Sequence, residues 1–94
     1  MRVKWLRIAL ANLDAEAEYI SRDNPAAAAR MVTAVNRAVQ NLQRFPALGR
    51  AGRVVGTREL VIPGTPYIVP DRVRDDAIEV LRVFYGARRW PKEL

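Results

Sequence analysis

The chain is 94 residues long, 50% hydrophobic and 28% charged, with a formal net charge of +6 and neither cysteine nor histidine. Its length and composition fit one globular domain over residues 1–94, and they exclude disulfides, thiolate metal sites and a histidine general base, so no metal or cofactor is expected. No apolar run approaches the roughly 20 residues of a membrane span, and Met1 to Trp5 do not lead into a signal peptide, so a cytoplasmic protein without a membrane partner is expected.

Arg2 to Trp5 read as a short strand with Val3 and Trp5 on one face. Leu6, Leu10, Leu13, Ala17 and Ile20 recur at spacings of four and three, which predicts a helix burying that face. Asp14, Glu18 and Arg22 lie four apart on its outer face, where solvated charges belong. Asp23-Asn24-Pro25 then breaks the chain: Asn24 can cap a second helix, and Pro25 fits its first position. Ala28, Val32, Val35, Val39 and Leu42 repeat the apolar stripe up to Phe45-Pro46, since a residue before proline avoids helical geometry. Two narrow stripes joined by a very short connection predict an antiparallel helical hairpin.

Residues 47–57, with glycines at 49, 52 and 56, read as a loop. Three strands follow: Glu59 to Ile62, Tyr67 to Val73 and Ala77 to Tyr85, turned at Pro63-Gly64-Thr65-Pro66 and Arg74-Asp75-Asp76. Pro70 cannot donate to a ladder and belongs at an edge or a bulge. The third strand is apolar on both faces and therefore central. Asp71 needs solvent or a partner, with Arg72, Arg74 and Arg82 as candidates. The fold class is α+β: a short N-terminal strand, an antiparallel two-helix hairpin, then a three-stranded antiparallel meander forming one sheet. The hairpin covers one sheet face and leaves the other free for a partner or substrate.

Charge is unevenly distributed. Basic and acidic side chains balance from Met1 to Asp23 and again from Glu59 to Leu94, so the whole excess lies in Asn24 to Arg58, which holds six arginines and no carboxylate. These are Arg30, Arg37, Arg44, Arg50, Arg53 and Arg58. The first three are seven apart and about 200° from the apolar stripe, so they form one row facing away from the core. Such a band either meets an acidic or polyanionic partner or stays solvated.

The layout resembles toxins of the RelE/ParE superfamily. The resemblance rests on Leu13-Asp14, on Ile20 to Pro25 with the alanine run, and on Phe45-Pro46-Ala47-Leu48-Gly49-Arg50. It continues through Arg58-Glu59-Leu60 and Tyr67-Ile68-Val69 to the stretch from Ile78 to Arg88. It spans nearly the whole chain and implies the toxin of a type II toxin–antitoxin pair, neutralised by a cognate antitoxin in a hetero-oligomer. Antitoxin tails that fold on binding are often acidic, which suits the arginine band as their docking surface.

The resemblance implies one of two targets, ribosome-bound mRNA for the RelE branch or DNA gyrase for the ParE branch. A ribonuclease without histidine would draw on Arg72, Arg82, Tyr85 and Arg88 for charge stabilisation and proton transfer. The chain departs from the RelE-like pattern at two points: Tyr67 is followed by Ile68 rather than arginine, and Trp90 is the only aromatic after Tyr85. Asp71 and Tyr85 also stand where many relatives have an aromatic and a histidine. A ParE-like, non-enzymatic gyrase inhibitor is the favoured reading, with Arg82, Tyr85, Arg88, Arg89 and Trp90 as target-binding residues. An mRNA endonuclease is the alternative. A plain nucleic-acid-binding module ranks below both, because the chain has no GxGxxG, zinc-ligand or aromatic stacking motif.

Overall fold

A computed structural model describes residues 1–86 and 89–94. Its elements are β1 (Arg2–Trp5), α1 (Arg7–Ser21), α2 (Pro25–Gln40), a 3₁₀ turn (Asn41–Gln43), β2 (Arg50–Ala51), β3 (Arg58–Val61), β4 (Tyr67–Arg74), β5 (Ala77–Val80) and β6 (Phe84–Tyr85). The architecture is α+β, with the helical hairpin on one face of a single sheet.

The break between the helices uses the capping chemistry of its residues. The Asn24 side chain accepts from the Ala27 backbone N–H at 3.0 Å, and Pro25 takes the first helical position, where its missing N–H costs nothing. On the other side, the Asn24 N–H closes α1 by donating to the Ile20 carbonyl at 2.9 Å. One residue thus ends one helix and starts the next. The outer Glu18–Arg22 pair, at 3.5 Å, is solvated on both sides and contributes little.

The stripe of α2 packs as its spacing requires: Ala28, Met31, Val35, Ala38 and Val39 are buried, and Leu42 continues them from the 3₁₀ turn. The stripe of α1 is rotated from the expected one. Ala9 and Leu13 carry the burial, with Ala17 and Ile20 partly buried, whereas Leu10 is 46% exposed. Ala9 and Leu13 are one i, i+4 pair, and the small Ala9 side chain lets the helix approach the sheet closely.

The sheet runs β1-β5-β4-β3-β2, with β6 also paired to β4. The expected antiparallel meander is β3-β4-β5. Strand β1 joins it in parallel beside β5, so β5 is central. Strand β2 lies in the segment expected to be a loop and pairs with β3 through Arg50↔Glu59 and Ala51↔Arg58.

The long third strand is divided. Asp71 faces Val80, but Ile68 faces Phe84, so residues 81–83 stand opposite only Val69 and Pro70. One extra residue on that side makes a bulge. Pro70 explains its position. The Pro70 carbonyl accepts from the Leu81 N–H at 2.9 Å, so its donor-less nitrogen points to the same side, where the ladder is interrupted.

Strand alternation and register separate two sets of side chains. Leu60, Tyr67, Val69, Ile78 and Val80 join the helices in the core. The opposite, outer face carries Glu59, Ile68, Pro70, Arg72 and Phe84. That face is not left free as expected. Glu59, Ile68, Pro70, Leu81 and Phe84 are all buried; on this face Trp90 packs on Phe84 and the loop around Arg53 packs on Glu59 and Trp90.

Candidate functional site

Among the described residues of the nuclease set, Arg72 and Tyr85 do not converge. Tyr85 faces Tyr67 across β6–β4, and the two rings meet edge to face at 6.0 Å on the helix side of the sheet. Arg72 points to the outer side, where its Nε donates to Glu79 Oε1 at 2.8 Å. That hydrogen bond, together with the positive charges of Arg72, Arg74 and Lys4, holds the Glu79 carboxyl below its ordinary value, although burial opposes it. Arg82 lies in the bulge, and its guanidinium donates to the Leu81 carbonyl. Arg88 lies outside the described residues, and Arg89 is exposed. Tyr85 and Arg72 are therefore on opposite faces of one sheet.

Tyr85 instead sits at the mouth of a cleft of about 590 Å³ on the helix side. Its walls are Glu16, Tyr19 and Ile20 of α1, Ala27, Arg30, Met31 and Ala34 of α2, and the Pro63–Tyr67 turn. The buried Tyr67 donates its hydroxyl to Glu16 Oε2 at 3.1 Å. Burial foremost, and then the Glu16 carboxylate, push the Tyr67 phenol up to about 12. It is a hydrogen-bond donor at neutral pH, not a base. Glu16 and Tyr67 escape a sequence reading because they are 51 residues apart.

The arginine band divides into two sets. Arg30 and Arg37 are exposed on α2 and flank a shallow depression with Ala29, Thr33 and Ala34. Arg44 lies past the 3₁₀ turn rather than on α2, with its guanidinium 5.7 Å from the Phe45 ring centre. Arg58 is exposed at the start of β3. Arg50 and Arg53, by contrast, turn to Glu59. The Glu59 carboxylate is 2% exposed and accepts from Arg50 Nη2 at 3.1 Å and from the Arg53 backbone N–H at 2.7 Å, with Arg53 Nε at 3.4 Å. The Arg53 guanidinium also lies 3.9 Å from the Trp90 ring centre, and Trp90 meets Phe84 edge to face at 4.9 Å.

The sequence signal for this cluster was the position of Glu59. It is the first carboxylate after six arginines, and strand alternation sends it to the outer face.

Asp71 has none of its expected partners. It is 1% exposed, and neither carboxylate oxygen has a hydrogen-bond partner among the described residues. Register places it on the core-side face, opposite Arg58 and Val80, while Arg72 and Arg74 alternate to the other side. Burial pushes its carboxyl up to about 7, and the Arg58 charge pulls only partly against that.

Comparison with known proteins accounts for this layout. Residues 3–90 match the family model described as the ParE toxin of the type II toxin–antitoxin system parDE. The chain belongs to the ParE toxin family. It is 44% identical to Y4kP of Sinorhizobium fredii over 93 residues, covering 99% of this chain and 96% of that one. It is 32% identical over 87 residues to Toxin RelE2 of Caulobacter vibrioides, covering 93% and 97%. A solved structure titled "Chromosomal ParDE TA system from P. aeruginosa" superposes with a TM-score of 0.79 at 34% identity, covering 88% of this chain and 92% of that one. This ParE-family chain is thus the toxin of a type II pair, and an antitoxin is its partner.

Proposed function

We propose that this toxin acts by binding DNA gyrase rather than by cutting RNA, and that it does so in the cytoplasm without a cofactor. The observation carrying this reading is the division of Arg72 and Tyr85 between opposite sheet faces. Cleavage at a 2′-hydroxyl needs a proton acceptor and a charge-stabilising group within a few ångströms of one phosphate. A binding surface has no such requirement. Tyr85 and the exposed Arg89, with Arg82 and Arg88 close to them in sequence, are the residues proposed to supply aromatic area and charge to that surface.

Among the band arginines, Arg30, Arg37 and Arg58 are the ones offered to an acidic antitoxin, with Arg44 at the far end. Their exposure permits long-range steering of such a partner. Arg50 and Arg53 contribute less, since Glu59 already compensates them.

The test uses purified toxin in two assays, inhibition of gyrase supercoiling and cleavage of ribosome-bound mRNA. Inhibited supercoiling with intact mRNA is the expected result. Cleaved mRNA with unaffected supercoiling would overturn the reading in favour of the endonuclease.

A further inference from the structure

The segment after β6 is fixed at two points. Upstream, the Gly86 N–H donates to the Pro66 carbonyl at 2.7 Å. A Cβ at Gly86 would lie 3.2 Å from that oxygen and 3.0 Å from Ile68 Cδ1, so the approach is tight. Downstream, Trp90 is seated between the Arg53 guanidinium and the Phe84 ring. In sequence, Arg88 and Arg89 lie between these anchors.

The downstream anchor is built from below. Glu59 fixes Arg53 twice, through its main-chain N–H and through Nε. The turn that presents Arg53 is itself tight: the Gly52 N–H donates to the Thr57 carbonyl at 2.9 Å, and a Cβ at Gly52 would lie 2.8 Å from that oxygen. Trp90 Nε1 is buried without a hydrogen-bond partner among the described residues, so ring contacts hold the seat. The chain of support therefore runs Glu59, Arg53, Trp90, Phe84.

We propose that Arg53 is a positioning residue: oriented by Glu59, it seats Trp90 and so sets where the adjacent Arg89 meets the target. The proposal rests on the target-binding reading of the C-terminal segment. In this arrangement Arg53 and Trp90 are not target contacts. They fix the chain at Trp90, directly after Arg89, so less conformational freedom is lost there on binding.

The test measures Arg53→Ala, Trp90→Ala and the double variant, with growth arrest on induction and half-inhibition of gyrase supercoiling as activity readouts. Acrylamide quenching of Trp90 fluorescence, in a Trp5→Phe background, reports the seat directly. Each single variant is expected to need about tenfold more toxin for half-inhibition, the size of one cation–π contact. The double variant should be no worse than either single one, because both remove the same seat. Arg53→Ala should also expose Trp90 to quencher, while Trp90→Tyr, which keeps an aromatic face for the guanidinium, restores activity.

Glu59→Gln tests the lower link, and Arg53→Ala keeps the test open if that variant fails to fold. Additive losses, or Trp90 quenching unchanged by Arg53→Ala, would overturn the proposal. Growth arrest with the same non-additive pattern but unaffected gyrase would retain the positioning role and reject the gyrase target. A wild type that does neither would sink both.

Discussion

Asp71→Asn removes, at nearly constant volume, a buried carboxylate that has no hydrogen-bond partner among the described residues, and the sign of its effect follows from that burial. The Asp71 carboxyl stands at about 7 in the folded protein against 3.8 as its ordinary value. Its folded state thus holds a proton more tightly than its unfolded state. Below the ordinary value both states are protonated and the full stability is present. As pH rises the unfolded state ionises first, and stability falls until the folded pKa is passed. At ~1.4 kcal/mol for each pH unit between the two values, the ceiling is ~4 kcal/mol. Solvent relaxation around the exposed Arg58 lowers this, and ~2–3 kcal/mol is the working figure.

The assay is thermal or urea unfolding of the wild type and Asp71→Asn at pH 4 and pH 8. Other groups titrate in both proteins and cancel in the difference. The wild type should lose ~2–3 kcal/mol relative to the variant on going from pH 4 to pH 8, or about 10–15 °C in Tm for a domain of this size. A difference between the two proteins that stays constant over this range would refute the reasoning, because Asp71 would then be solvated or paired in both states.

Other outcomes follow from the packing and the caps. Asn24→Ala removes the side-chain acceptor of Ala27 N–H and should cost about 1 kcal/mol in urea unfolding, whereas Asn24→Asp should cost far less. Val35→Ala, at a position with no exposed surface, should cost about 2–3 kcal/mol with the slope of the unfolding transition unchanged. Reversing Arg30 and Arg37 to Glu should slow antitoxin association roughly tenfold at low salt and flatten its salt dependence, as read by stopped-flow mixing. An association rate unchanged by the reversal would mark both arginines as merely solvated.

The elements written in local chemistry were legible in the sequence. Asn24-Pro25 marks the hairpin, the 3.6-residue period marks α2, and Pro70 demands an edge or a bulge and obtains a bulge. What was not legible depends on contacts far apart in the chain. The parallel pairing of β1 with β5 joins residues about 75 positions apart, such as Arg2 and Ala77, and no local pattern specifies it. Leu10 satisfied the helical period equally well, but the side of α1 that meets the sheet is set by tertiary packing. The outer face looked vacant because its cover is two short irregular segments, one carrying Arg53 and the other Trp90.

The arginine band also gains a division that composition conceals. Six arginines without a carboxylate suggest a single docking surface, yet Glu59 lies just beyond the counted stretch and draws Arg50 and Arg53 inward. Charge at long range still sums over all six, so an acidic partner is attracted by the whole band. Close contact differs, because drawing Arg50 and Arg53 away would strip the Glu59 carboxylate, 2% exposed, of both its charged partners. Arg30, Arg37 and Arg58 are therefore the band arginines proposed for close antitoxin contact, while Arg50 and Arg53 pair with Glu59 and Arg53 also meets Trp90.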